Sequence, residues 1–122
     1  MFAPIFKVCS ADSGVGALIG AGTECRLYLF GEAPADVIKP YAVWQTIGGA
    51  PDNYLADRPD SDRFELQVDV YGTAATQTRS VARAIRDAIE QKAYVTRWGG
   101  ESRDAPTKTY RYSFDVDWWV SR

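Results

Sequence analysis

The chain has 122 residues, 46% of them hydrophobic, and a formal net charge of −2 from 14 Lys and Arg against 16 Asp and Glu. That size and balance describe one soluble globular domain with its own core, and they argue against a disordered tail, a membrane protein or a dedicated nucleic-acid binder with its basic excess. Histidine is absent, which removes Ser-His-Asp and Cys-His catalysis and most zinc sites.

The first residues lack the basic and apolar regions of a signal peptide, and no run approaches the roughly 20 apolar residues that span a bilayer. Cys9 and Cys25 show no paired metal-ligand or CxxC spacing, so buried free thiols in a chain made in a reducing cytosol are expected. Two short helical pieces open the chain. Phe2, Ile5, Phe6 and Cys9 recur at helical spacing; Asp12 then caps a second piece carrying Val15, Leu18 and Ile19, stopped by Gly20.

Cys25 to Phe30 alternates like a strand, and Gly31 to Pro40 is a turn-rich connection. A second strand follows over Tyr41 to Ile47, ended by Gly48-Gly49. The stretch Ala50 to Asp62, with two prolines and four aspartates, has no apolar period and reads as a long exposed loop.

The clearest strand is Arg63 to Tyr71. Phe64, Leu66, Val68 and Val70 point one way and Arg63, Glu65, Gln67 and Asp69 the other, as in a sheet buried on one face. Thr73 is the expected N-cap of a helix whose stripe is Thr78, Val81, Ala82, Ile85, Ala88 and Ile89, with Arg79, Arg83, Arg86, Asp87 and Glu90 outward. A short strand, Tyr94 to Trp98, leads into a polar loop, Gly99 to Lys108. The last element, Thr109 to Val120, alternates Tyr110, Tyr112, Phe114, Val116, Trp118 and Val120 against Arg111, Ser113, Asp115, Asp117 and Trp119.

This order predicts a single α+β domain over residues 1–122. It would hold a small, mostly antiparallel sheet of about five strands, covered on one side by a main α-helix, with short helices at the N-terminus.

Several groups of residues invite a chemical reading. Asp115 and Asp117 share a strand face and would meet Asp69 or Glu65 if the two long strands were neighbours, as a metal-binding or acid/base cluster requires. The preferred alternative is a solvated face balanced by Arg63 and Arg111. Arg79, Arg83 and Arg86 share a helix face at a spacing that grips phosphate; Asp87 and Glu90, four residues after Arg83 and Arg86, can instead occupy two of them as ordinary helix pairs. Gly48-Gly49 and Gly99-Gly100 match no phosphate-loop pattern and need only end strands. Trp118 and Trp119 must face opposite ways, so one of them is either covered by another element or an exposed interface anchor.

Charge is also unevenly spread. Asp52 to Asp69 holds six acidic residues against Arg58 and Arg63, and Arg79 to Arg97 holds five basic residues against Asp87 and Glu90. Opposite patches on one domain permit head-to-tail contact between copies.

Taken together and in order, Arg26-Leu27-Tyr28, Pro40-Tyr41-Ala42-Val43-Trp44-Gln45, Gly48-Gly49, Tyr54-Leu55, the strand Phe64 to Tyr71 and the end Tyr110 to Val120 resemble the tail-completion proteins of long-tailed bacteriophages and prophages. The resemblance implies a structural virion protein, similar to tail terminators and tail-to-head joining proteins. Such proteins form a hexameric ring on the head-proximal end of the tail tube, stop tube growth and present a surface to the head connector or head-closure protein. It implies no catalytic residue, cofactor or metal. The expected partners are further copies of the chain, the tail tube protein and the connector, with the genome passing through the ring and no specific nucleic-acid binding.

The candidate interface residues are Asp52, Tyr54, Arg58, Asp60, Arg63, Arg79, Arg83, Arg86, Arg111, Asp115, Asp117 and Trp119. The polar sheet face and basic helix are expected to close the ring, and the two long loops to touch tube or connector. A head-closure component of the phage neck, and a metal- or ligand-binding module built on Asp69, Asp115 and Asp117, are the alternatives.

Overall fold

The alternation in Arg63–Tyr71 and Thr109–Val120 produces the two central strands of one sheet. A computed structural model describes residues 1–53, 55 and 57–122. In chain order the elements are α1 (Ile5–Ser10), α2 (Ser13–Ile19), a 3-10 turn (Gly22–Glu24), β1 (Leu27–Leu29), β2 (Tyr41–Pro51), β3 (Ser61–Gly72), α3 (Ala75–Ile89), β4 (Ala93–Asp104) and β5 (Thr109–Ser121). The sheet order is β1-β2-β3-β5-β4. β1 lies parallel to β2 and every other pairing is antiparallel, which is the α+β arrangement the sequence predicts. No helix among the described residues is long and apolar enough to cross a membrane.

Strand register explains the core. Leu66 lies opposite Val116, Val68 opposite Phe114 and Val70 opposite Tyr112, so these side chains share one face. Val81, Ala82, Ile85 and Ile89 of α3 cover that face, and all four are buried with Leu66, Val68, Phe114 and Val116. Ile5, Cys9, Val15 and Ile19 of α1 and α2 extend the same cluster over Leu27 and Ala42. Each fully buried aliphatic or Phe side chain contributes about 1.5–3 kcal/mol relative to exposure. Among the described residues the opposite face carries no helix.

Local signals hold where they are short-range. The Asp12 side chain accepts a hydrogen bond from the Val15 N–H at 2.9 Å, capping α2 as expected. At α3 the N-cap is Ala74, without a side-chain cap, rather than Thr73. Gln77 supplies the missing acceptor: its Oε1 takes hydrogen bonds from the Thr73 N–H at 2.7 Å and the Thr73 hydroxyl at 3.1 Å. A Gln in the first turn reaching back is a variant of the capping box.

Four boundaries differ from expectation. β2 continues through Gly48-Gly49 to Pro51, with a bulge between Thr46 and Gly48. Gly49 has φ +147°, and a Cβ there would stand 2.2 Å from the Arg63 carbonyl oxygen, so the glycine bends the strand instead of ending it. β3 begins at Ser61, and the long loop shrinks to residues 52–60. The polar stretch expected as a loop from Gly99 is strand as far as Asp104, with bulges between Val95 and Arg97 and between Trp98 and Gly100. At the N-terminal edge, β1 is shorter than the predicted Cys25–Phe30 strand: Cys25 caps a 3-10 turn, the Arg26 N–H donates to the Ile19 carbonyl at 2.7 Å, and the Glu32 N–H turns back to the Leu29 carbonyl at 3.0 Å.

Candidate interaction surface

The uncovered sheet face is a ladder of charge built by register. Glu65 lies opposite Asp117, Gln67 opposite Asp115 and Tyr71 opposite Arg111, so the two long strands are neighbours, as the carboxylate reading requires. Glu65, Asp69 and Asp117 nonetheless turn their carboxylates to cations, while Asp115 has no ion pair among the described residues. Arg63 Nη1 stands 2.7 Å from Glu65 Oε1 and 3.6 Å from Asp117 Oδ1. Arg111 donates from Nε and Nη2 to Asp69 Oδ1 at 3.1 and 2.9 Å, and Gln67 Nε2 lies 3.3 Å from both Asp69 oxygens. Among the described residues no group of three His, Cys, Asp or Glu side chains is placed to hold a metal ion. The solvated, charge-balanced face is the better account of Asp69, Asp115 and Asp117.

The tryptophan pair resolves as a split. Trp118 is 2% exposed in the core, whereas Trp119 is 43% exposed on the open face, edge-on to Tyr94 with ring centroids 5.7 Å apart. Trp119 sits opposite Arg63. Neither the N-terminal helices nor a loop buries it.

Arg79 and Arg86 find partners; of the two i, i+4 pairs expected on α3, Arg86–Glu90 forms and Arg83–Asp87 does not. Arg79 makes a two-point bond to Glu101 of β4, at 2.8 and 2.7 Å, and this neighbour holds the Glu101 carboxyl below its usual range. Arg86 takes both Asp87, at 2.9 Å, and Glu90, at 3.8 Å. Asp87 therefore serves Arg86 rather than Arg83, and Arg83 has no ion pair among the described residues. These pairs are exposed, and such pairs contribute about 0.2–1 kcal/mol each.

At the end of the sheet where β2 passes to β3, the acidic loop is tied down at its base. The Asp52 carboxylate accepts from the Ser61 hydroxyl, the Asp52 N–H donates to the Ser61 carbonyl at 3.0 Å, and the Arg58 N–H donates to Asp57 Oδ1 at 2.7 Å. The chain terminus closes the same end. Arg122 grips Asp62 through Nη2 at 2.8 Å and Nε at 2.9 Å, and its N–H reaches the Asp60 carbonyl at 2.7 Å. The Arg122 bond depresses the Asp62 carboxyl. Tyr54, an expected interface residue, lies outside the described residues.

The opposite end holds a feature that sequence reading misses. Tyr41 and Tyr71, opposite each other across β2 and β3, stack with centroids 5.1 Å apart, and Tyr28 meets Tyr41 edge-on at 6.4 Å. The stacked pair lines a groove of about 690 Å³ whose walls include Lys39, Arg103, Arg111 and Asp104. Burial raises both phenols, with Asp69 adding to the effect at Tyr71, so they are neutral hydroxyl donors at ordinary pH. Tyr41 and Tyr71 are thirty positions apart in sequence, and only the β2–β3 register brings them together.

Of the expected interface residues, Arg63, Arg111, Asp115, Asp117 and Trp119 thus share the open sheet face. Asp52, Arg58 and Asp60 lie at one end of it, and Arg79, Arg83 and Arg86 lie on the helical layer behind.

Comparison with known proteins places this architecture. A solved chain described as "Virion of native gene transfer agent (GTA) particle" superposes with a TM-score of 0.74 at 14% identity, over 97% of this chain and 92% of the other. At that identity the likeness is one of fold. No curated protein sequence matches. The family model described as "Tail completion protein gp17" matches residues 3–121. By that match over nearly its whole length, the chain belongs to the family of tail-completion proteins, structural components of phage-type virions.

Proposed function

We propose that the chain caps the head-proximal end of a phage-type tail tube as a closed, hexameric ring of identical copies. The ring ends tube polymerisation and offers its upper surface to the head connector. The observation that carries this reading is the family match over residues 3–121. The character of the surface agrees with it. The molecule spends its helices on one sheet face and leaves the other as a half-exposed mosaic of charged and aromatic side chains. Interfaces that form and specify partners draw on such mixtures of Arg, Tyr and Trp.

Termination in this reading is steric. A ring that matches the tube on one surface and differs from it on the other leaves no site for the next tube subunit. No chemical step is needed, and the genome passes through without base-specific contact.

The test is the particle made when the gene is deleted. Abnormally long tails in the lysate are the expected result and support termination. Tails of normal length detached from heads would transfer the role to head closure in the neck, and normal infectious particles would overturn both.

A further inference from the structure

The basic, tyrosine-floored groove and the acidic loop lie at opposite ends of the same sheet. The groove sits where β2 begins and β3 ends; the loop sits where β2 ends and β3 begins. β3 runs the full distance from Ser61 to Gly72, and at a strand rise of about 3.3 Å per residue this separates the two features by roughly 35–40 Å. A copy therefore cannot fill its own groove with its own loop.

The groove has unspent cationic capacity. Neither Lys39 nor Arg103 has a carboxylate within ion-pair distance among the described residues. Lys39 Nζ donates to the Thr109 hydroxyl, and the Arg103 guanidinium lies over the Tyr110 ring at 5.5 Å. Arg111 directs Nε and Nη2 to Asp69, and its Nη1 has no hydrogen-bond partner among the described residues. Asp104 is the one carboxylate on the wall; it accepts from the Thr107 hydroxyl and N–H, and Lys39 adds to the effect that holds it low without reaching ion-pair distance. Below these groups, Tyr41 and Tyr71 supply an apolar floor with hydroxyl donors.

The loop offers the matching chemistry. Residues 52–60 contain Asp52, Asp57 and Asp60 against Arg58 alone. Asp57 and Asp60 are exposed, and Leu55 between them and Asp52 is wholly exposed. We infer that the groove receives the acidic loop of a second copy, carboxylates on Lys39 and Arg103 and Leu55 on the tyrosine floor. Such a contact joins different surfaces of identical subunits, so it propagates from copy to copy and closes into a ring when the rotation permits. The inference rests on the reading that copies of this chain assemble. It gives the loop to the neighbouring copy rather than to tube or connector.

A charge-swap experiment on the purified chain decides it. Lys39→Glu with Arg103→Glu reverses the groove; Asp57→Lys with Asp60→Lys reverses the loop. All four positions lie outside the core, and unchanged thermal melting of each variant confirms that folding is intact. Self-association is read by sedimentation velocity across protein and salt concentration, alone and on purified tail tubes. Each reversed variant should associate at least about tenfold more weakly than the unmodified chain, the difference shrinking as salt screens it. Mixing the two variants should restore association, because every contact in the mixture again joins opposite charges. If the unmodified chain associates and the reversed variants associate equally well, or their mixture stays apart, the loop-in-groove contact is wrong while the ring reading stands. If the unmodified chain remains monomeric at its solubility limit and on tubes, both fall.

Discussion

Replacing Arg111 with Leu removes the partner of the most buried charged side chain on the open face. Asp69 is 8% exposed and receives two bonds from the Arg111 guanidinium. After the substitution only Gln67 Nε2, 3.3 Å from each oxygen, still addresses that carboxylate. Breaking a fully buried pair from one side costs about 3–5 kcal/mol, whereas an exposed pair is worth about 0.2–1 kcal/mol. The Arg111 side chain is 42% exposed, so water replaces part of what is lost and a cost of about 2 kcal/mol is expected. With an unfolding entropy of about 2.1 cal/mol/K per residue, a chain of 122 residues loses roughly 8 °C of Tm. Thermal unfolding of Arg111→Leu, Asp69→Asn and the double variant forms the assay. The two single costs should exceed the double by about 1 kcal/mol or more, since residues in one ion-pair network are not additive. A melting temperature for Arg111→Leu within about 2 °C of the unmodified chain, or strict additivity, would refute the claim that this pair organises the face.

Other substitutions separate core from surface. Trp118→Ala should cost about 3–5 kcal/mol in denaturant unfolding, while Trp119→Ala, which loses little beyond its edge-on contact with Tyr94, should cost about 1 kcal/mol or less. Gly49→Ala should destabilise by about 2 kcal/mol or more, because φ +147° and the Arg63 carbonyl both exclude a Cβ; Gly48→Ala, facing only the movable Glu65 carboxylate, should be milder in the same measurement. Burial pushes the Cys9 thiol up to about 12, with Cys25 and Asp12 adding to the effect, and raises Cys25 as well. A folded pKa above the unfolded one gives stability that is complete below the ordinary thiol range and lost as pH rises toward about 12. Denaturant midpoints should therefore fall above about pH 9, and Cys9→Ala should flatten that fall. Reversing Arg79, Arg83 and Arg86 to Glu should leave melting almost unchanged, since their pairs are exposed. Any loss of association should fade with salt, and unchanged assembly at low salt would remove α3 from the interface.

What was legible in the sequence follows from where burial imposes a period. β3 and β5 each bury alternate residues against α3, so Leu66, Val68, Phe114 and Val116 declare both strands and their inward face. β4 past Trp98 is exposed on both faces, so nothing in its residues distinguishes strand from loop. The glycines of β2 look like an end because glycine usually is one; here Gly49 permits a close approach to β3 that no other residue type allows. The polar face could be assigned from alternation, including the approach of Asp117 to Glu65, but its pairings could not. Asp69 and Arg111 meet across strand register, Arg79 and Glu101 across two layers, and Tyr41 and Tyr71 across a hairpin. Each is a tertiary fact with no periodic signature, and the groove is built wholly from such facts.

The sheet edges bear on how copies can meet. An exposed edge strand invites pairing with another chain, and a ring could in principle be closed by running one sheet into the next. Both edges here are blunted. β4 carries two bulges and the charged residues Arg97, Glu101 and Arg103 along its length. On the other side β1 spans only Leu27–Leu29, leaving the far half of β2 unpaired. There the Asp52 N–H turns inward to Ser61, so the alternate position, Pro51, turns outward and offers no N–H. Edges so protected disfavour backbone zippering, which would be indiscriminate and hard to reverse. In the proposed ring, contact between copies then falls to side chains such as those of the groove and loop, whose strength is set by charge and salt and whose register is set by shape. The proposed role at a tube end asks for these properties in a subunit that stays dispersed until it docks.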